Sequence, residues 1–318
     1  MDAFKDKFTE QLSKDADEGL SAPQKYLKSK YFYDPTGDLL FRRITRLPDY
    51  YLTSCETEIL KFESKFILAS FKTGKPLNII ELGSGDASKT KLLLDVADDL
   101  NLDVTYYPVD ISAEVLKLAK KNTGALVDVI TVTGDYTEIL ETKHFLALRN
   151  KLILFLGSNI GNFSDSETTE FMHYLNKNIN PKDHVLIGFD LVKDSQLILN
   201  AYNDATGLTS QFNLNLLVVL NRELGADFKT ENFFHAPIYD EKIQAAKSFI
   251  VSNKNHVVNF KKLKKSFSFA KGESVFTEIS SKYTVDGIKK LSKNAGFEVV
   301  SMHTDHRKYF MNVLMRKK

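Results

Sequence analysis

Residues 81–90 read ELGSGDASKT, between the apolar run PLNIIEL (76–82) and the stretch SKTKLLLDVADDL (88–100). The order predicts a strand, a glycine turn and a helix with Ser88 near its start. Glycines in such a turn let the backbone approach a ligand closely, and the helix N-terminus that follows favours negative charge. The dinucleotide pattern G-x-G-x-x-G wants a third small residue at position 88, where Ser88 stands, so the match is incomplete. The turn alone admits a dinucleotide or S-adenosylmethionine.

Outward from the turn, strands and helices alternate. DVTYYPVD (103–110) reads as a strand and SAEVLKLAKKN (112–122) as a helix with Ser112 as its N-cap. VDVITVTGDY (127–136), KLILFLG (151–157) and HVLIGFDL (184–191) continue the series. Between the last two, Ser164 and Glu167 have capping-box spacing. Near-continuous apolar strands separated by helices predict an α/β protein, a Rossmann-like, mostly parallel, doubly wound sheet covered on both faces. Ligands of such sheets bind beyond the carboxyl ends of the strands, which puts GSG, Asp110, GDY and GSNIGN on one rim.

After Asp190 the pattern changes. QFNLNLLVVLNRELG (211–225) predicts a helix stopped by Gly225; AAKSFIVS, HVVNFKKLKKSFSF and SVFTEISSKYT predict antiparallel strands. The helix VDGIKKLSKNAG and the runs FEVVSMHTD and YFMNVLMRK follow, the last two as strands returning to the main sheet. The expected organisation is a cofactor-binding core at 58–192 and 283–318, with a smaller α+β substrate domain at 1–57 and 193–282.

Bulk properties exclude several classes. Of 318 residues, 43 are Lys or Arg and 41 Asp or Glu, a balance that argues against a nucleic-acid partner. Cys55 is the only cysteine, which excludes an internal disulfide and a cysteine-rich zinc site. No apolar run reaches the roughly 20 residues that span a bilayer, and the N-terminus has no apolar signal core, so a cytoplasmic protein without a membrane partner is expected. A monomer is compatible with the sequence. No metal site is expected, because His303 and His306 have no further ligands nearby in sequence. KKLKK (261–265) reads as part of an edge strand guarded by lysines. Cys55 reads as a buried small side chain at a helix start where Thr53 and Glu56 have capping-box spacing.

Three features point toward S-adenosylmethionine. Asp110, after the second strand, suits ribose hydroxyls; GDY (134–136) puts an acid and an aromatic after the third strand, where adenine would lie; and the sheet ends in a reversed strand pair. Beyond the turn, KYFYDPTGDLLFRRITRLPDYYLTSCETEIL (30–60) resembles the N-terminal segment of the histidine-specific Nα-methyltransferase family of ergothioneine biosynthesis. The resemblance continues through LILFLGSNIGNFS, LIGFDLVKD, AYNDATGLTSQFNLNLLVVLNRELGADF and GESVFTEISSKYT, over roughly residues 25–316.

That resemblance implies a donor site of Tyr33, Gly83, Ser84, Lys89, Asp110, Asp135 and Tyr136, with Lys89 on the methionine carboxylate. It implies an amino-acid site in which Asn162 and Tyr202 hold the α-amine and carboxylate region, Tyr50 lies beside the acceptor, and Glu278 and Ser280 read the imidazole. Tyr33, Asn162 and Tyr202 become the residues nearest the chemistry, and the implied reaction converts L-histidine to Nα-trimethylhistidine (hercynine). One departure stands out: where family members commonly show IEMHLVS, this chain has AKSFIVS (246–252), so Ser248 replaces a methionine beside the imidazole. Ser248 opens the alternative of another aromatic amino acid or amine, such as a tryptophan derivative. A dehydrogenase using the same turn and a non-catalytic binding relative are the remaining rivals.

Overall fold

In a computed structural model, which describes residues 2–318 and side chains from Phe8 onward, the apolar runs become strands. These are β1 (Leu77–Leu82), β2 (Val104–Asp110), the short β3 (Asp128–Val129) and β4 (Val132–Thr133), β5 (Lys151–Phe155) and β6 (His184–Asp190). All pair in parallel: Ile80 of β1 lies between Tyr107 of β2 and Ile153 of β5, and Phe155 of β5 meets Ile187 of β6. Alternate residues feed two cores. Ile80, Ile153 and Ile187 enter one; Ile79, Leu152 and Leu186 enter the other. Two covered faces explain why the sequence shows unbroken apolar runs rather than alternation.

Local signals set the helices between these strands. Ser112 caps Ala113–Thr123, its hydroxyl accepting from the Val115 amide at 3.3 Å. Ser164 and Glu167 close a capping box on Asp165–Asn178, which buries Phe171, Met172 and Leu175. Three expectations are corrected. The helix after the glycine turn is Thr90–Asp99, beginning two residues beyond Ser88. The run 127–136 is not one strand: β3 and β4 each give β2 two residues, because this edge has a ladder on one side only. The helix Tyr51–Leu68 begins before Thr53, so Thr53 and Glu56 form no capping box; Glu56 lies on the buried face with Leu52, Cys55, Ile59 and Leu60.

The chain divides into two compact units, a larger one of Tyr51–Lys193 with Ser281–Lys318 and a smaller one of Met1–Tyr50 with Asp194–Ser280. In the smaller unit the helix Leu208–Leu224 buries Phe212, Leu216, Leu217, Leu220 and Leu224, and Gly225 ends it at φ 62°. Its strands are β7 (Phe233–Asp240), β8 (Ala245–Ser252), β9 (His256–Phe260), β10 (Lys265–Phe269) and β11 (Ser274–Ser281). β8 lies between β7 and β11, and β9 and β10 form a separate hairpin. Of KKLKK only Lys265 is strand, opening β10 opposite Phe260; Lys261, Lys262 and Lys264 are hairpin turn, because the chain reverses over 261–264, with Lys264 at φ 52°, and Val258 then faces Phe267. β7 had no sequence signal, since Pro237 and an irregular polar pattern disguise it.

The chain returns to the larger unit with β12 (Phe297–Thr304) and β13 (Phe310–Lys317). β13 runs antiparallel beside β6, pairing Val313 with Ile187, and β12 lies outside it. The expected reversed pair thus completes the sheet in the order β12-β13-β6-β5-β1-β2-β3.

Candidate active site

The rim at the carboxyl ends of β1, β2 and β5 is built mostly from backbone. Gly83 and Gly85 have φ of +70° and +56°, a region open to glycine at little cost. The amides of Gly83 and Ser84 donate to the Val109 carbonyl at 2.9 and 3.1 Å, which folds the turn over the end of β2. Asp110 fixes that fold from below: one oxygen accepts the Gly85 amide at 3.0 Å, the other the Ser112 amide at 2.9 Å. Burial raises its pKa against the pull of those amides. The Ile111 amide adds to them, and the acceptor capacity left on the carboxylate is what a ribose hydroxyl needs.

Asp135 caps the short helix Tyr136–Ile139, accepting from the Thr137 amide at 2.9 Å and hydroxyl at 2.7 Å. The Tyr136 ring is locked edge-on against Phe155 and Phe171, with centroids 5.5 and 5.9 Å away, and burial pushes its hydroxyl pKa up. Asn162 is exposed at the end of the turn Asn159–Asn162 after β5. Gly161 lets that turn approach the chain, since a Cβ there would lie 3.0 Å from the Ser281 carbonyl.

Lys89 forms an ion pair with Glu56, which sequence reasoning missed. Glu56 is fully buried and also accepts the Gly157 amide on both oxygens, at 3.0 and 2.8 Å. Its signal was an acid inside the i, i+3, i+4 stripe of an amphipathic helix. Glu81 was missed as well, an acid inside an apolar strand. Its oxygens accept the Thr90 hydroxyl at 2.6 Å and the Tyr106 hydroxyl, and burial pushes its pKa up to about 7. Asp190, also missed, accepts the Tyr51 hydroxyl at 2.9 Å and the Lys282 ammonium at 2.9 Å, and pairs with Lys193. Burial lowers the Lys193 pKa against the attraction of Asp190.

In the smaller unit, Tyr33 packs edge-on against Phe41 and Phe212, each with centroids 5.6 Å away, and Tyr50 meets Phe41 at 6.2 Å. Tyr202, the last residue of the helix Ser195–Tyr202, donates to the Ser280 hydroxyl at 2.6 Å. Ser248 is buried, with its hydroxyl 3.1 Å from His235 Nε2. Burial pushes the His235 pKa down to about 4, so the ring is neutral near pH 7. Thr277 donates to the Ser248 carbonyl at 3.1 Å and to Asn213 at 2.9 Å, which fixes the strand at the half-buried Glu278. The structure therefore joins Tyr33 to Tyr50 through Phe41, Tyr202 to Ser280, and Ser248 to the strand that carries Glu278.

Burial pushes the Cys55 thiol up to about 12, which suits packing rather than nucleophilic chemistry. His306 does have acidic neighbours, correcting the sequence expectation: its Nδ1 lies 2.8 Å from Glu58, and Asp305 is close by. Asp305 is spent on structure, accepting the amides of Tyr309 and Phe310 at 2.8 Å each and Arg307 at 3.0 Å. Among the described residues no helix is long and apolar enough to cross a membrane.

The donor set fits an adenosine that carries an amino acid: a ribose acid at Asp110, an acid and a fixed aromatic at 135–136, and the Lys89 cation beside the glycine turn. The model of the family described as histidine-specific methyltransferase, SAM-dependent, matches residues 12–317. The histidine N-alpha-methyltransferase of Mycolicibacterium smegmatis is 36% identical over 303 residues, covering 94% of this chain and 93% of that protein. The enzyme of the same name from Mycobacterium tuberculosis is 33% identical over 299 residues, 92% of this chain and 91% of that one. Ergothioneine biosynthesis protein 1 of Neurospora crassa is 30% identical over 300 residues, 92% of this chain and 33% of that protein.

Proposed function

This chain belongs to the histidine-specific, S-adenosylmethionine-dependent methyltransferase family, and from that premise we propose that it methylates the α-amine of L-histidine up to Nα-trimethylhistidine. The full-length 36% identity to a histidine N-alpha-methyltransferase carries the reading. S-adenosylmethionine supplies an electrophilic methyl group on a sulfonium with a neutral thioether as leaving group. The protein's task is to hold a neutral amine lone pair in line with that methyl, and positioning of this kind is worth up to roughly 7–11 kcal/mol of barrier. The ammonium formed at each of the first two transfers loses its proton to water before the next.

Within this proposal the larger unit holds the donor through Gly83, Ser84, Lys89, Asp110, Asp135 and Tyr136. Tyr33 adds an aromatic face suited to a sulfonium. Asn162 and Tyr202 grip the amine and carboxylate region of the acceptor; Tyr50, Glu278 and Ser280 orient the ring. The Tyr202–Ser280 hydrogen bond at 2.6 Å supports their assignment to one subsite. With one cysteine and no disulfide to form, the chain suits a reducing compartment, and the proposal puts the reaction in the cytoplasm.

Ser248 favours a second reading, because its bond to His235 replaces a thioether with a polar pair. A panel of amino acids and aromatic amines incubated with donor and read by mass spectrometry decides between them. L-histidine should gain methyl groups stepwise to three. An unchanged histidine mass beside a methylated tryptophan derivative would establish the second reading.

A further inference from the structure

Glu56 is a fully buried carboxylate on an apolar helix face, where an unpaired charge would be costly. The fold makes room for it. A Cβ on Gly188 of β6 would stand 2.3 Å from Glu56 Oε1, and Gly188 is absent from the positive-φ glycines, so space rather than backbone conformation requires glycine there. The hydrogen bonds of this carboxylate run to the rim: the Gly157 amide donates to both oxygens, and Lys89, next to the glycine turn, pairs with it. The anion is at 0% exposure and the Lys89 side chain at 25%, so the pair presents its cation outward above a buried negative charge.

We propose that Glu56 binds the α-ammonium of the donor's methionine moiety while Lys89 takes its carboxylate. The donor ends in a zwitterion, two opposite charges on one carbon. A lysine alone would attract the carboxylate and repel the adjacent ammonium. A lysine–glutamate pair matches both, and four charges then alternate in a site of low dielectric where each contact is strong. Without donor the two side chains satisfy each other, which keeps the buried carboxylate paired. Glu56 takes no part in proton or methyl transfer; it is a binding residue.

The inference rests on the donor reading above, and binding alone tests it. Calorimetry would compare Glu56→Gln with wild type for S-adenosylhomocysteine, its deaminated analogue that keeps the carboxylate, and 5′-methylthioadenosine, which lacks the amino-acid end. Glu56→Gln should bind S-adenosylhomocysteine at least tenfold more weakly and leave the other two ligands unchanged. Equal weakening of S-adenosylhomocysteine and the deaminated analogue would show that Glu56 merely orients Lys89, and overturns the proposal. Equal weakening of all three, or of none, overturns it too. Should the variant not fold, wild type must still bind the deaminated analogue at least tenfold more weakly than S-adenosylhomocysteine; parity refutes the idea. If wild type binds no S-adenosylhomocysteine at all, the donor reading itself has failed.

Discussion

Two carboxyl groups illustrate how a residue's surroundings set its job. Glu81 accepts two hydroxyls in complete burial and has its pKa pushed up to about 7 from 4.5. The folded protein therefore favours its protonated form, and the stability this gives is fully present below pH 4.5 and lost as pH rises through 7. Glu81→Gln mimics the protonated form, so its stability relative to wild type should rise across that window when followed by urea unfolding. A pH-independent difference would contradict this. Glu278 is half-buried on β11, and the proposed function puts it at the acceptor ring. Glu278→Ala should raise the KM for L-histidine about tenfold or more, in line with about 1.5–3 kcal/mol for a hydrogen bond to a charged group, and leave donor affinity alone. Equal loss of donor affinity would remove Glu278 from the acceptor site.

At the scale of elements, the helix Asp165–Asn178 follows the turn that carries Asn162, and its start is set by the capping box at Ser164. Ser164→Ala removes the acceptor for the Glu167 amide and the donor to its carboxylate at 2.7 Å. A loss of about 1 kcal/mol is expected, seen as a lower denaturation midpoint at constant slope. Ser112 and Ser164 were readable as caps because a cap is a contact between residues three apart. The Thr53–Glu56 pair has the same spacing and does not cap, because the helix had already begun at Tyr51 and its apolar stripe turns Glu56 inward.

Across the whole molecule, the chain passes between its two units at Tyr50–Tyr51, Lys193–Asp194 and Ser280–Ser281. Within the larger unit, Tyr51, Lys193 and Lys282 stand at or beside these points and all bond to Asp190, whose backbone amide donates to Ser158 at 3.2 Å. One carboxylate thus ties together three residues of the larger unit that are far apart in the chain. Asp190→Asn would leave two buried ammonium groups without their counter-charge. It should cost about 3–5 kcal/mol in chemical denaturation. A cost below about 1 kcal/mol would mean that the lysines find other partners.

The sequence by itself determined the parallel sheet, its reversed closing pair, the glycine turn and the rim acids Asp110 and Asp135. Strands, caps and turns are written in short-range spacing, and a doubly covered sheet writes itself as unbroken apolar runs. It also fixed the family, because many distant segments match at once. Only the tertiary structure decided that Glu56 faces Lys89 and Gly157, that Tyr51, Lys193 and Lys282 meet at Asp190, that Ser248 lies against His235, and that Lys261, Lys262 and Lys264 form a turn. Those are contacts between residues far apart in the chain, or a choice between strand and reversal that the same alternation permits. Periodicity says which way a side chain faces, and packing alone says what it meets there.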